Sequence, residues 1–283
     1  MGYTNYEKGV QQEIEHWKNE KEGGLSKFLT TISKPFVWLY DNVIPNSVDK
    51  TISKAVLGFL EMLRDFSFWT YSNSDFIKEA KKIDIQIVDY RDLKNEDLET
   101  CDRIARRYFN SNKIIALLEG LGCGLGGFAL IVADIPALFT ISFRAVQQIG
   151  SSYGFDMEDP DMFPVVMSVF NAGSAASSTA KAAALADMRI AAKAYAKNWT
   201  YKKVAQRTQT GIIANLLKQR TKNLPKDIAN NVTKRKLSQT IPVFGAAIGA
   251  GFNYWFLSST VRSAYMIFRD MYITRKYQVE EVK

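Results

Sequence analysis

The chain has 283 residues, of which 47% are apolar and 23% charged, a balance that fits a folded globular protein and excludes a disordered or collagen-like chain. Its single histidine, His16, and two cysteines, Cys101 and Cys123, are too few for an ordinary structural or His-based catalytic zinc site or for a disulfide framework. The net charge of +8 is unevenly spread: residues 1–113 hold 17 basic and 18 acidic side chains, residues 114–180 hold 1 and 6, and residues 181–283 hold 19 and 5.

The first twenty residues, MGYTNYEKGVQQEIEHWKNE, lack the apolar stretch and cleavage site of a secretory signal, so the chain is expected to stay inside the cell. Met1-Gly2 opens like a myristoylation site, but Tyr6 stands where that motif needs Ser or Thr. Ile52, Val56, Phe59, Leu60 and Leu63 follow one face of a helix, and Arg64 and Asp65 fall outside that stripe. Ile83, Ile85 and Ile87 alternate as in a strand, but Ile83, Ile87 and Tyr90 fit a helix as well, and a strand without a partner is a poor expectation. From Asn95 a helix is predicted, because Glu96, Asp97 and Glu99 precede Arg103, Arg106 and Arg107 in the order its dipole favours.

Three later segments are nearly free of charge: residues 120–143 carry only Asp134, and residues 162–180 and 237–261 carry none. The third, 25 residues long, could reach across a bilayer, but Ser238, Gln239, Thr240, Asn253, Ser258, Ser259 and Thr260 favour a core helix of a large helical domain. Gly120, Gly122, Gly124, Gly126 and Gly127 each cost about 1 kcal/mol inside a helix, so close packing must offset them. The four-residue spacing of Gly120/Gly124 and Gly122/Gly126 returns in Gly245/Gly249 and Ala247/Gly251, and it lets helix backbones approach. The first and third segments are therefore expected to pack on each other or on the small-residue run Ala172 to Ala186. Pro136 is expected to break or restart the first segment, with Asp134 capping the new turn. Pro160 and Pro164 open a further helix running toward Trp199.

Within the last third, residues 181–236 hold 14 Lys or Arg against Asp187 and Asp227, which is +12 in 56 residues. Such a block draws polyanions, and the anionic cytoplasmic leaflet is favoured over nucleic acid; the alternative is a solvated helix face balanced by acids elsewhere. Arg189, Lys193 and Lys197 recur every four residues and form one stripe, which Lys202, Lys203, Lys234, Arg235 and Lys236 extend as candidate membrane or polyanion contacts.

Two short motifs resemble chemistry without its setting. Gly122-Cys-Gly-Leu-Gly-Gly127 matches a dinucleotide fingerprint in spacing, but no strand precedes it, Pro136 interrupts the following helix, and Gln147 stands where an acid belongs. Ser178 and Lys181, like Ser47 and Lys50, have the spacing of a serine–lysine dyad at a frequency chance explains. Glu119, Asp134, Arg144, Gln147 and Gln148 carry more weight, because in or beside an apolar glycine-rich element an unpaired charge is too costly to persist. They must pair, cap or face water. A buried polar network is expected, with a ligand or proton-sensing site as the alternative.

The run from Leu118-Glu119-Gly120 through the glycine cluster to Ala133-Asp134-Ile135-Pro136-Ala137-Leu138, then Arg144 and Tyr153-Gly154-Phe155-Asp156, resembles the signature of the bacterial EcsC family. A second block agrees: Ile241-Pro242-Val243-Phe244-Gly245, Gly249, Asn253-Tyr254, Arg262, Ala264 and Phe268-Arg269 are similar to that family's C-terminal signature. With a weaker match in Asp49 to Leu63, the resemblance covers most of residues 40–275. The family is named for a gene beside a bacterial ABC transporter, and the resemblance implies no reaction, cofactor or catalytic residue. It makes Asp134, Arg144, Tyr153, Asn253 and Arg262 the positions matching the family's polar motif residues.

The sequence thus predicts an all-α, multi-helix bundle with glycine-rich, closely packed apolar helices. Residues 1–40 are expected to form an amphipathic extension, 41–276 the EcsC-like helical domain and 277–283 a short polar tail. The expected function is that of a cytoplasmic, non-catalytic accessory protein, without metal or cofactor, bound peripherally to anionic membrane or lipid and to a membrane protein such as a transporter. The alternatives are a small-molecule or lipid-acting enzyme whose pocket is lined by the signature polar residues, and a membrane-inserting or pore-forming protein using the glycine-rich helices.

Overall fold

The computed structural model describes residues 2–20, 46–64, 72–123, 127–159, 162–174 and 245–280, with single helical positions at 182, 186, 225, 226, 228, 229 and 232. Among these the chain is all-α, with no strand: α1 (Asn5–Asn19), α2 (Asn46–Arg64), α3 (Asn73–Lys81), a 3-10 turn (Tyr90–Asn95), α4 (Leu98–Cys123), α5 (Gly127–Ser152), α6 (Phe163–Ser174) and α7 (Gly245–Glu280).

Local chemistry starts and stops these helices. Thr4 opens α1 with a reciprocal cap: the Glu7 amide donates to Thr4 Oγ1 at 3.2 Å, and the Thr4 amide donates to Glu7 Oε2 at 2.8 Å. Val10, Ile14 and Trp17, one turn apart along α1, are all buried, so this amphipathic helix is docked on the body of the protein and not a free extension. The stripe Ile52, Val56, Phe59 and Leu60 of α2 is buried as its periodicity predicts. Ile85 and Ile87 are buried too, but they sit in the irregular link between α3 and the 3-10 turn, which is neither the helix nor the strand considered for them. The helix predicted from Asn95 begins three residues later, at Leu98, with Asp97 Oδ1 accepting from the Thr100 amide at 2.7 Å. It runs on to Cys123, so Arg103, Arg106 and Arg107 lie in its first half rather than at its end.

Pro136 does not interrupt α5, which continues through it from Gly127 to Ser152. It is exposed, where solvent can satisfy the carbonyl that its missing N–H leaves free, and the Thr140 hydroxyl donates to the Pro136 carbonyl at 2.7 Å. Of the five clustered glycines, Gly120 and Gly122 lie in α4 and Gly127 in α5, while Gly124 and Gly126 lie outside the described residues.

The 36-residue α7, about 54 Å long, is the spine against which α1, α4, α5 and α6 pack, while α2 packs on α5. Phe139 of α5 joins these layers, its ring centroid lying 5.6 Å from Phe59 of α2, 5.6 Å from Phe170 of α6 and 5.2 Å from Phe256 of α7. No described helix is long and apolar enough to cross a membrane.

The small-residue run that begins at Ala172 meets α7 at Gly173. A Cβ there would stand 2.6 Å from Thr260 Oγ1 and 2.7 Å from the Thr260 Cα, so the two backbones touch with no room for a methyl group. What faces Gly124 and Gly126 lies outside the described residues. Gly173→Ala should lower the unfolding free energy by about 1–3 kcal/mol, read from the urea midpoint, since the gain in helix propensity is smaller than the overpacking it causes.

Candidate functional site

Among the described residues, the densest polar arrangement is buried where α1, α4 and α7 meet the turn after α5. Asp102, placed on the inner face of α4 between the buried Cys101 and Ile104, is 1% exposed. Tyr153 Oη donates to its Oδ1 at 2.7 Å, and Tyr6 Oη, at 2.6 Å, and Arg269 Nη2, at 2.8 Å, reach its Oδ2. Arg269, fully buried on α7, extends Nη1 to Glu13 Oε2 on α1 at 2.6 Å. Its guanidinium carbon lies 4.5 Å from the centroid of the Tyr265 ring, whose hydroxyl accepts from Arg106 Nε at 3.0 Å. Nε of Arg269 is buried and has no hydrogen-bond partner among the described residues.

This environment fixes protonation. Burial, reinforced by the Asp102 carboxylate, pushes the Tyr153 hydroxyl well above the usual phenol range and Tyr265 up to about 12. Burial and the hydrogen bond to Asp102 do the same to Tyr6. Burial works against the charge on Arg269, but Asp102 beside it more than offsets that, so the guanidinium stays protonated. The phenols therefore act as fixed donors. Asp102 accepts two hydrogen bonds, forms an ion pair with Arg269, and is committed to holding that arginine and two tyrosines in place.

A second set of contacts runs along α1 and α7. Glu7 pairs with Lys276 at 2.8 Å, Glu13 with Arg269 at 2.6 Å and Glu20 with Arg262 at 2.9 Å. The pairing order is antiparallel, every acid lies on α1 or its C-cap and every base on α7, and the bases are seven residues apart. Burial opposes ionisation of Glu7, but hydrogen bonds from Lys276, Tyr277 and the Thr4 amide hold its carboxyl below the usual range. Around the corner, Arg275 donates to the Tyr153 carbonyl at 2.8 Å and lies over Phe155, while Arg91 binds Asp89, Asp156 and Glu158 at 3.0–3.2 Å.

Of the residues singled out by sequence, Tyr153 sits in the network itself and Arg262 ends the row of pairs joining it. Gln147 and Gln148 of α5 and Asn253 of α7 are buried. Arg144 is exposed on α5, apart from the network. Glu119 and Asp134 fall in α4 and α5 with side chains outside the described residues, and Arg189, Lys193, Lys197, Lys202, Lys203, Lys234, Arg235 and Lys236 lie outside them altogether. Sequence reasoning missed Asp102, Tyr6, Glu13 and Tyr265. The available signal was the seven-residue spacing of Arg262, Arg269 and Lys276, echoed by Glu13 and Glu20.

The described residues thus form an all-α body whose first and last helices are joined over a buried arginine–aspartate pair, with Tyr153 of the Tyr153-Gly154-Phe155-Asp156 motif supplying one donor. The chain belongs to the EcsC protein family, whose model matches residues 8–272, starting inside α1 rather than near residue 40. It is 25% identical over 272 residues to the uncharacterized protein YdbA of Bacillus subtilis (strain 168), covering 95% of this chain and 94% of that one. To protein EcsC of the same organism it is 26% identical over 191 residues, covering 67% of this chain and 72% of that one. No solved structure matches.

Proposed function

We propose that this protein is a non-catalytic accessory factor that binds the anionic cytoplasmic surface of the membrane peripherally, through its basic C-terminal third. The observation that carries this reading is the +12 charge of residues 181–236, set in a chain whose first 113 residues sum to −1. The buried network fits a non-catalytic role, because its carboxylate is committed to structural donors and its phenols are held protonated. Each Lys or Arg near an anionic surface contributes about 1 kcal/mol, so a few of the 14 bases suffice for binding at moderate salt.

Co-sedimentation tests the reading. Vesicles containing phosphatidylglycerol or cardiolipin should retain the protein in a salt-sensitive way, and neutral phosphatidylcholine vesicles should not. Reversing Arg189, Lys193 and Lys197 to glutamate should weaken retention by about a hundredfold or more. Unchanged binding by that variant would make the stripe a solvated face. Tight binding to DNA with none to vesicles would replace the membrane by nucleic acid as the partner.

A further inference from the structure

The pairing of α1 with α7 segregates charge by helix, and this has a use beyond cohesion. Arg262, Arg269 and Lys276, seven residues apart, lie along one side of α7 as a basic row about 21 Å long, and Glu20, Glu13 and Glu7 cover it in that order. We propose that α1 is a releasable acidic cover over this row, and that an anionic lipid surface displaces it; the inference rests on the membrane reading above and names how that binding is regulated.

Three features of the contact favour release over permanent closure. The side chains at the two ends of the row, Arg262 at 42% and Lys276 at 34%, are partly exposed, so a competing anion reaches those ends before α1 has left the buried Arg269 between them. Arg269 keeps Asp102 at 2.8 Å when Glu13 departs, and Asp102 keeps Tyr153 at 2.7 Å when Tyr6 departs. Opening therefore strands no buried charge, which is the usual obstacle to breaking a buried pair. The apolar part of the contact rests on Val10, Ile14 and Trp17, which must offset the ordering of a 15-residue helix. Those three side chains keep the resting state closed, and the phosphate groups of an anionic surface offer the row on α7 the same charge as the three glutamates.

Hydrogen exchange of the full chain, with and without phosphatidylglycerol vesicles, tests this directly. Amides of residues 5–19 should exchange at least about tenfold faster in the vesicle-bound protein, while those of α4 and the second half of α7 stay protected. Val10→Ala leaves net charge unchanged, so any gain it brings cannot come from long-range attraction. It should speed exchange in α1 without lipid and raise vesicle affinity severalfold. Ile14→Val, a smaller truncation on the same buried face and also neutral in charge, should do the same to a lesser extent and serves if Val10→Ala folds poorly. Vesicle binding with α1 as protected as in free protein, or weakened binding in both variants, would overturn the cover and leave the membrane reading standing. Failure of the native protein to bind these vesicles at all would overturn both.

Discussion

Asp102→Ala is expected to lower the unfolding free energy by about 3–5 kcal/mol, the cost of leaving a buried charge without its partner. Arg269 is fully buried, and its other carboxylate, Glu13, is largely in solvent, so Asp102 supplies the low-dielectric half of its compensation. The same change orphans the hydroxyl of Tyr153, which is buried too. Urea denaturation followed by helical ellipticity measures this. The double variant Asp102→Leu/Arg269→Met removes both charges and should cost less than Asp102→Ala alone, the unpaired Tyr153 hydroxyl accounting for about 1–3 kcal/mol of what remains. A loss below about 1 kcal/mol for Asp102→Ala would show that the pair does not hold the helices together.

The second large effect belongs to Gly154, which turns the chain after α5 with φ +68°. A Cβ at this position would lie 2.2 Å from the Lys94 amide nitrogen and 2.8 Å from its Cα, inside the backbone of the 3-10 turn. Gly154→Ala combines a left-handed backbone, about 1–2 kcal/mol for a residue with a side chain, with overpacking of about 1–3 kcal/mol against atoms that cannot rotate away. The expected loss is about 2–5 kcal/mol, again read from the urea midpoint. Gly154→Asn separates the two causes. Asparagine tolerates positive φ but carries the same Cβ, so a loss nearly as large as that of alanine assigns the effect to the clash. Either change loosens the turn that presents Tyr153 to Asp102 and Asp156 to Arg91.

The architecture was legible where one rule acted alone. Apolar spacing placed Ile52, Val56, Phe59 and Leu60 on a buried helix face, and small residues marked the close approach found at Gly173 and Thr260. It failed where tertiary context overrode a local signal, as at Pro136, whose exposed side tolerates a missing N–H, and at Ile85 and Ile87, whose alternation buries a loop. The network was hardest to read. Tyr6, Asp102, Tyr153 and Arg269 lie on four separate segments, and Asp102 sits in a helix whose sequence around it, Glu99 to Arg107, looks like a charged surface. Only packing against α7 and α1 tells the inward carboxylate from its outward neighbours. Tyr153 was found through its place in the motif that resembles the EcsC signature, Tyr153-Gly154-Phe155-Asp156, whose glycine turns the chain with φ +68°.

The repeat of seven among the bases of α7, matched on the other side by Glu13 and Glu20, raises a problem of registry. Were α1 to slide so that each residue took the place of the one seven before it, Ile14 would replace Glu7 beside Lys276, while Glu20 would meet Arg269 and charge would accept the misalignment at that pair. Volume would not. Trp17 would fall into the space shaped around Val10, and Glu13 would arrive where Tyr6 now donates to the Asp102 carboxylate, setting two anions together in a buried site. Sliding the other way would leave Val10 in the larger space of Trp17 and open a void. Charge thus fixes the direction in which α1 lies, while one indole and one phenol fix the single position at which it stops.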